Sequence, residues 1–343
     1  MFLRNQWYAA TLAADIGDKP FPRTICGEPL VFFRTESGRI GALEDRCSHR
    51  HAPLSFGAVK GETIECGYHG FMFDCAGACT HIPGQASVPP RAAIRSYPVV
   101  ERAGWLFVWI GDAEQADEAL LPDLPWFGAE GWQWWHVYYH GNAAAQLYID
   151  NLLDITHTAY LHQKTIGTPE VPDHPPKVTT EGTRVTVNRL NKQVTPAPFI
   201  AKWGGFPGKI DAYTDYSWEP PSIIKLRTTR TDGERKLQYW LVNPVTPETE
   251  TTAHFWFAWA SEQHLDDPEY KKQTYKGIAE GVLLEDFAMI EAQQKVLRER
   301  ASLPPVVPSQ ADAPLVAVHK VLKSLFQKQA ADQSTAGVTR VAS

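Results

Sequence analysis

The sequence predicts an α+β protein: an all-β N-terminal domain, then a second domain that joins an antiparallel sheet to long helices. Three observations carry this. From about 23 to 110 the chain reads as short runs rich in Val, Ile, Phe and Trp, with Gly38, Gly61, Gly77 and Gly104 between them as turn signals. From 111 to 131 the composition shifts to Ala, Asp, Glu and Pro, which marks a linker. Beyond it, partly alternating runs are followed by a long helical pattern. The expected domains are residues 1–112 and 113–343.

In the first domain, strands are expected at 30–34, 40–43, 64–66 and 105–110. In the second, a helix is expected over 143–158. Strands follow at 183–190, 223–230, 236–242 and 253–259, and their partial alternation suits a sheet with one covered face. The Pro- and Gly-rich stretch 195–221 reads as a long connection, and its Phe199, Trp203, Phe206 and Trp218 favour an ordered lid. Asp267 is an N-cap and Pro268 the first residue of the longest helix, which runs to about 300. A terminal helix is expected over 313–330, followed by a polar, mobile tail from Ala331.

Composition excludes several functions. The 343 residues are 43% hydrophobic and 21% charged, as in an ordinary globular chain with material for two cores. The net charge of -6 and the lack of a basic run argue against nucleic acid. No run approaches the roughly 18 apolar residues of a membrane span. Arg4, Asn5 and Gln6 interrupt the start, so no secretion signal is read. Five cysteines, an odd number, then point to the cytoplasm and to thiols or metal ligands.

Two constellations carry chemistry. Cys47-Ser48-His49 and Cys66-Gly67-Tyr68-His69 each pair a thiolate with an imidazole at chelating spacing. Such a set can hold structural zinc. Mixed pairs suit a [2Fe–2S] centre better, with two Cys on one iron and two His on the other. His51 is a weaker extra imidazole, and Cys75 and Cys79 read as ordinary thiols. The second constellation is Asp150, Asp154, His157 and His162, spaced D-x3-D-x2-H-x4-H among apolar residues. It reads either as a helix with satisfied core histidines or as a metal site. On a regular helix His162 lies about 140° from His157, so a shared metal requires the helix to end or loosen between them. Two His and one carboxylate form the facial triad of non-haem Fe(II) sites, which leaves positions open for O2. Asp286 is the best third ligand and Glu285 the runner-up.

Residues 47–54, Cys-Ser-His-Arg-His-Ala-Pro-Leu, and 66–74, Cys-Gly-Tyr-His-Gly-Phe-Met-Phe-Asp, resemble the two cluster loops of the Rieske family. Ala52 and Tyr68 stand near where respiratory members carry an extra disulfide, so the resemblance is to the oxygenase type. Together with Arg4-Asn5-x-Trp7-Tyr8, Pro83-Gly84-Gln85, residues 96–102 and Thr246-Pro247-Glu248-Thr249-Glu250-Thr251, the whole chain resembles the α-only Rieske non-haem iron oxygenases. These include vanillate O-demethylase, dicamba monooxygenase and toluenesulfonate methyl-monooxygenase.

The resemblance implies a Rieske domain followed by a helix-grip-like catalytic domain. It implies Cys47, His49, Cys66 and His69 as cluster ligands and His157, His162 and Asp286 as iron ligands. It implies a head-to-tail homotrimer in which Asp154 bridges His69 of one subunit and His157 of the next, with Asp150 and Asn151 in support. The reaction implied is O2-dependent hydroxylation of a methyl or methoxy group on a small aromatic compound, with O- or N-demethylation releasing formaldehyde. Ring or other C–H hydroxylation is the alternative. A non-catalytic electron carrier and a zinc-stabilised binding module are the remaining readings. No G-x-G-x-x-G follows a strand, so a separate reductase or ferredoxin must supply electrons. For the pocket, the resemblance points to Asn243. Trp203, Phe206, Trp240 and Trp256 could add aromatic walls, each equally suited to a core.

Overall fold

The computed structural model describes residues 1–300 and 302–341, with side chains through residue 333. Contacts divide the chain into two units. One holds Phe2–Leu124 and Thr246–Thr249; the other holds Pro125–Val245 and Glu250–Ser343, together with Met1.

The first unit carries β1 (Gln6–Leu12), β2 (Phe21–Ile25), β3 (Glu28–Arg34), β4 (Ile40–Glu44), β5 (Ala58–Lys60), β6 (Thr63–Glu65), β7 (Met72–Asp74), β8 (Cys79–His81), β9 (Val99–Arg102) and β10 (Trp105–Ile110). They form three sheets, ordered β1-β10-β9, β2-β3-β4 and β5-β6-β7-β8. β3 explains the arrangement. Its Leu30 and Phe32 enter one core with Tyr8, Ile25 and Val108. Its Val31 and Phe33 enter a second with Leu43, Ile64 and Phe73. A strand covered on both faces has no need to alternate. Cys47 and Cys66 lie in that second core.

The second unit carries β11 (Gln133–Gly141), β12 (Lys177–Glu181), β13 (Arg184–Val194), β14 (Ile210–Glu219), β15 (Ile223–Thr231), β16 (Lys236–Pro247) and β17 (Ala253–Ser261) in one sheet, ordered β11-β17-β16-β15-β14-β13-β12. Its helices are α1 (Ala145–Leu153), α2 (Thr158–Leu161), α3 (Pro198–Gly204), α4 (Pro268–Gly277), α5 (Leu283–Glu299) and α6 (Ala313–Val341). The inner strand faces share one core with α1, α4 and α5.

Four expectations change. The helix expected over 143–158 stops at Leu153, because Asp154 turns out of helical geometry (φ -103°, ψ 85°) and its carboxylate accepts from Thr156 N–H at 2.9 Å. The helix from Pro268 is not uniform: a π-helical stretch, Ile278–Val282, separates α4 from α5. The connection expected over 195–221 contains α3 and then β14. That strand was hidden because Ala212, Thr214, Tyr216 and Trp218 alternate with Asp211, Asp215 and Ser217, leaving no apolar run. α6 continues through Ala331 to Val341; residues 342–343 of the expected tail lie outside the described residues.

Candidate metal centres and cavity

The two Cys-His loops are built alike. Cys47 N–H donates to the Ala52 carbonyl at 2.8 Å, and His51 N–H donates back to the Cys47 carbonyl at 3.0 Å. Cys66 N–H donates to Phe71 at 2.8 Å, and Gly70 N–H to Cys66 at 3.0 Å. The fifth residue of each loop is left-handed: Gly70 at φ 71° and His51 at φ 59°. His51 is therefore a turn residue, and its Nδ1 sits 2.9 Å from Arg46 Nη1. At Gly67 an added Cβ would stand 2.5 Å from the Phe56 carbonyl oxygen, so only glycine fits.

These loops put Cys47 and Cys66 inside and His49 and His69 outside. The cysteines are 1% and 2% exposed. The imidazole rings lie 4.6 Å apart, edge to face, with His49 stacked on Phe71. Burial pushes the Cys47 thiol up to about 11, and the adjoining Cys66 adds to the shift. Two thiols buried together, below two exposed imidazoles, fit a cluster whose inner iron takes both thiolates and whose outer iron takes both imidazoles. Cys75 and Cys79 are half-buried elsewhere in the unit, Cys79 with its Sγ 3.5 Å from the His81 carbonyl.

In the second unit the break at Asp154 leads into a 3-10 turn, Ile155–His157, then α2 and His162. The rings of His157 and His162 come to 5.3 Å, 77° apart in plane. Both Nε2 atoms face Asp286 Oδ1, at 3.4 and 3.0 Å. One ligand atom from each of the three residues lies within 4.8 Å of the others. Each Nδ1 is engaged elsewhere: His157 with the Asp154 carbonyl at 2.5 Å, His162 with Glu285 Oε2 at 2.7 Å. Partners on Nδ1 fix the tautomer and leave Nε2 for a metal. Asn151 Nδ2 donates to Asp286 Oδ1 at 3.1 Å.

Asp286 is 6% exposed. Burial alone would raise its pKa, but the two imidazoles of His157 and His162 that face it outweigh burial and hold the carboxyl at about 2. A buried carboxylate facing two imidazole nitrogens suits a divalent iron with open positions. The π-helical stretch ends four residues before Asp286, with the Ala279 carbonyl accepting from Tyr139 Oη at 2.5 Å. Such interruptions recur at functional sites, where they rephase the helix that follows.

The structure thus brings together His157, His162 and Asp286. Glu285, the runner-up ligand, instead holds His162. Asp150 points away: His319 Nε2 lies 2.9 Å from its Oδ1, and Gln146 Nε2 lies 2.8 Å away.

A cavity of about 150 Å³ lies against the turn that carries His157, although His157, His162 and Asp286 are not themselves in its lining. Ile155 and Thr158 flank His157 in its wall, and Ile278 and Val282 of the π-helical stretch line another part. Its aromatic surface comes from Phe199, Tyr239, Phe257 and Trp259. The five pocket residues expected from the sequence are not in this lining. Trp203 packs on His264 and Tyr270, and Phe206 is buried in the core. Trp240 stacks on Trp126, and Trp256 packs against Tyr138 and His254. Asn243 is fully buried, its Nδ2 donating to the Trp256 carbonyl at 3.4 Å. Tyr239 and Trp259 alternate with these tryptophans on the same strands. The pairing of β15 with β16, which sets Tyr239 opposite Thr228, is what separates the two faces.

A one-electron cluster site and an open two-histidine, one-carboxylate site in one chain define an oxygen-activating iron enzyme. Comparison with known proteins narrows the class. Residues 6–98 match the Rieske [2Fe-2S] domain, and residues 141–328 match the vanillate O-demethylase oxygenase C-terminal domain. The chain is 38% identical to the toluene-4-sulfonate monooxygenase system iron-sulfur subunit of Comamonas testosteroni, over 92% of this chain and 94% of that one. It is 34% identical to the vanillate O-demethylase oxygenase subunit of a Pseudomonas species, over 87% of each. The crystal structure of dicamba monooxygenase bound to 3,6-dichlorosalicylic acid superposes with a TM-score of 0.89 at 30% identity, covering 96% of this chain and 99% of that one. The chain belongs to the Rieske non-haem iron oxygenases, in the group with the vanillate O-demethylase C-terminal domain. Its cofactors are a [2Fe–2S] cluster and Fe(II), with O2 as co-substrate. Among the described residues, no helix is long and apolar enough to cross a membrane.

Proposed function

We propose that this chain is the terminal oxygenase of a multicomponent system and hydroxylates a methyl or methoxy carbon on a single-ring aromatic compound. The cavity beside the triad carries the reading. Its roughly 150 Å³ matches an apolar cavity that holds benzene, which suits one ring better than a steroid. Its relatives, by name, act on toluene-4-sulfonate, vanillate and dicamba.

In this reading Cys47, His49, Cys66 and His69 hold the cluster, and His157, His162 and Asp286 hold the iron. The iron supplies O2 activation when bound. The protein's own part is to place the substrate and keep the site dry. Phe199, Phe257 and Trp259 enclose the ring. Ile155 and Thr158 bring it against the turn that carries His157. Hydroxylation of an O–CH3 or N–CH3 group gives a product that sheds formaldehyde; a C–CH3 group gives a stable alcohol.

Electrons arrive from a separate reductase or ferredoxin. In a homotrimer, Asp154 joins His69 of a neighbouring copy to His157. Support for this role is local: the Asp154 carbonyl already holds the His157 ring.

The test is a screen of O-, N- and C-methyl arenes with a surrogate reductase, reading formaldehyde and benzylic alcohol. Methyl oxidation coupled to electron consumption is expected. Ring phenols or diols as the main products would contradict the proposal.

A further inference from the structure

Arg230 lies in the wall of the cavity beside the triad. Its hydrogen bonds go to neutral acceptors. Nη1 donates to the Tyr213 and Thr229 carbonyls at 2.6 and 3.1 Å, and Nη2 to Thr214 Oγ1 at 3.3 Å. These leave guanidinium donors to spare. Among the described residues, no carboxylate lies within ion-pair distance of it. Part of its surface is accessible, as a cavity wall must be, yet protein packs closely enough for burial to push its pKa down. A cation removed from bulk water without a counter-ion is costly.

The sheet register shows what faces it. Asn191, Ala212 and Arg230 form one cross-strand row on β13, β14 and β15. Ala212, the small residue in the middle, leaves room between two polar ends. Asn191 is 5% exposed and lines the same cavity, and its Oδ1 has no hydrogen-bond partner. Turned over, that amide offers a donor instead. The next row is Arg189, Thr214 and Thr228. Arg189 Nη1 reaches Thr156 Oγ1 at 3.3 Å, beside His157. Arg230 therefore stands about 7 Å along the strands from the row that touches the metal-bearing turn. A ring seated against Tyr239 and Trp259 can meet Arg230 at one end and the triad at the other.

We propose that Arg230 anchors an anionic substrate: it takes the carboxylate or sulfonate of a single-ring aromatic acid, with the Asn191 amide as a second donor. This rests on the reading of the cavity as the oxygenase's substrate site. A planar guanidinium matches a carboxylate's two oxygens, which a lysine ammonium does not. Arg230 then selects acids over their neutral analogues and fixes which end of the ring approaches His157.

The test uses the holoprotein and three probes: 4-methoxybenzoate, 4-methoxybenzenesulfonate and the neutral 4-methoxybenzamide. Binding is read by tryptophan fluorescence, and turnover by formaldehyde. The wild type is expected to favour an acid over the amide. In Arg230→Met that preference should fall about ten- to a hundredfold, with Arg230→Lys between the two. Unchanged iron, sulfide and visible spectra establish that the variants are folded. The carboxylate and sulfonate arms say which acid the site takes. A wild type that binds neither acid more tightly than the amide overturns the proposal. So does an Arg230→Met variant that keeps the preference. Arg230-dependent binding of an acid that is never oxidised would uphold the anchor and sink the functional reading instead.

Discussion

Asp154 does three things within four residues. Its backbone ends α1, its carboxylate caps the next turn at Thr156, and its carbonyl holds His157 Nδ1. An asparagine keeps the cap, since its side-chain oxygen accepts as well as an aspartate's. Asp154→Asn should therefore retain both metals. It should slow electron transfer from cluster to iron about 10- to 100-fold, the usual effect of losing an outer carboxylate. Single-turnover kinetics measure this; an unchanged rate removes Asp154 from the electron path. At this scale the sequence was readable where chemistry demands fixed spacing. Cys47, His49, Cys66 and His69 sit in two equivalent loops, and their spacing alone pairs thiol with imidazole. His51 was ambiguous because its left-handed backbone, shared with Gly70, leaves no trace in its residue type. Arg230 was invisible, because a half-buried arginine without a carboxylate partner looks like any strand arginine until its neighbours are known.

At the scale of elements, interruptions in two helices shape the proposed iron site. The spacing of His157 and His162 called for the helix to end or loosen between them, but the break falls earlier and Thr158–Leu161 between them is helical. Asp154 set the break before His157, not after. The π-helical stretch Ile278–Val282 likewise has no sequence signature, yet it precedes Asp286 and lines the cavity. Strand faces were misjudged for a related reason. β17 is buried along its whole length, so composition cannot say whether Trp256 or Trp259 faces the cavity. Only pairing decides. α6 carries a pH-dependent link to α1. Its His319 is held above the ordinary histidine value chiefly by its hydrogen bond to Asp150, despite partial burial. The folded state thus favours the protonated ring. Its contribution is full below about pH 6.5 and is lost as pH rises through the raised folded value. Hydrogen-exchange protection of α6 around His319 should fall as pH rises from about 6.5 through the raised folded value, and His319→Gln should flatten that fall. Equal protection below and above that value would show that the link carries no weight.

On the scale of the whole molecule, one chain supplies two donor sets of different chemistry. Each set is made in its own unit: two buried thiols with two exposed imidazoles in one, two imidazoles with a buried carboxylate in the other. The Rieske set lies within one short segment, and so was legible from spacing. The proposed iron set joins His157 and His162 to Asp286 across more than a hundred residues, so sequence could only rank the carboxylate, and it is the fold that brings Asp286 to the two histidines. The central claim is that both sets hold iron and that only the second carries out the oxidation. Metal and acid-labile sulfide analysis of the purified wild type and His157→Ala tests it most directly. The wild type should contain about three irons and two sulfides per chain. His157→Ala should drop to about two irons, keep its sulfide and red-brown spectrum, and lose turnover. Zinc without sulfide in the wild type, or full iron and activity in His157→Ala, would contradict it.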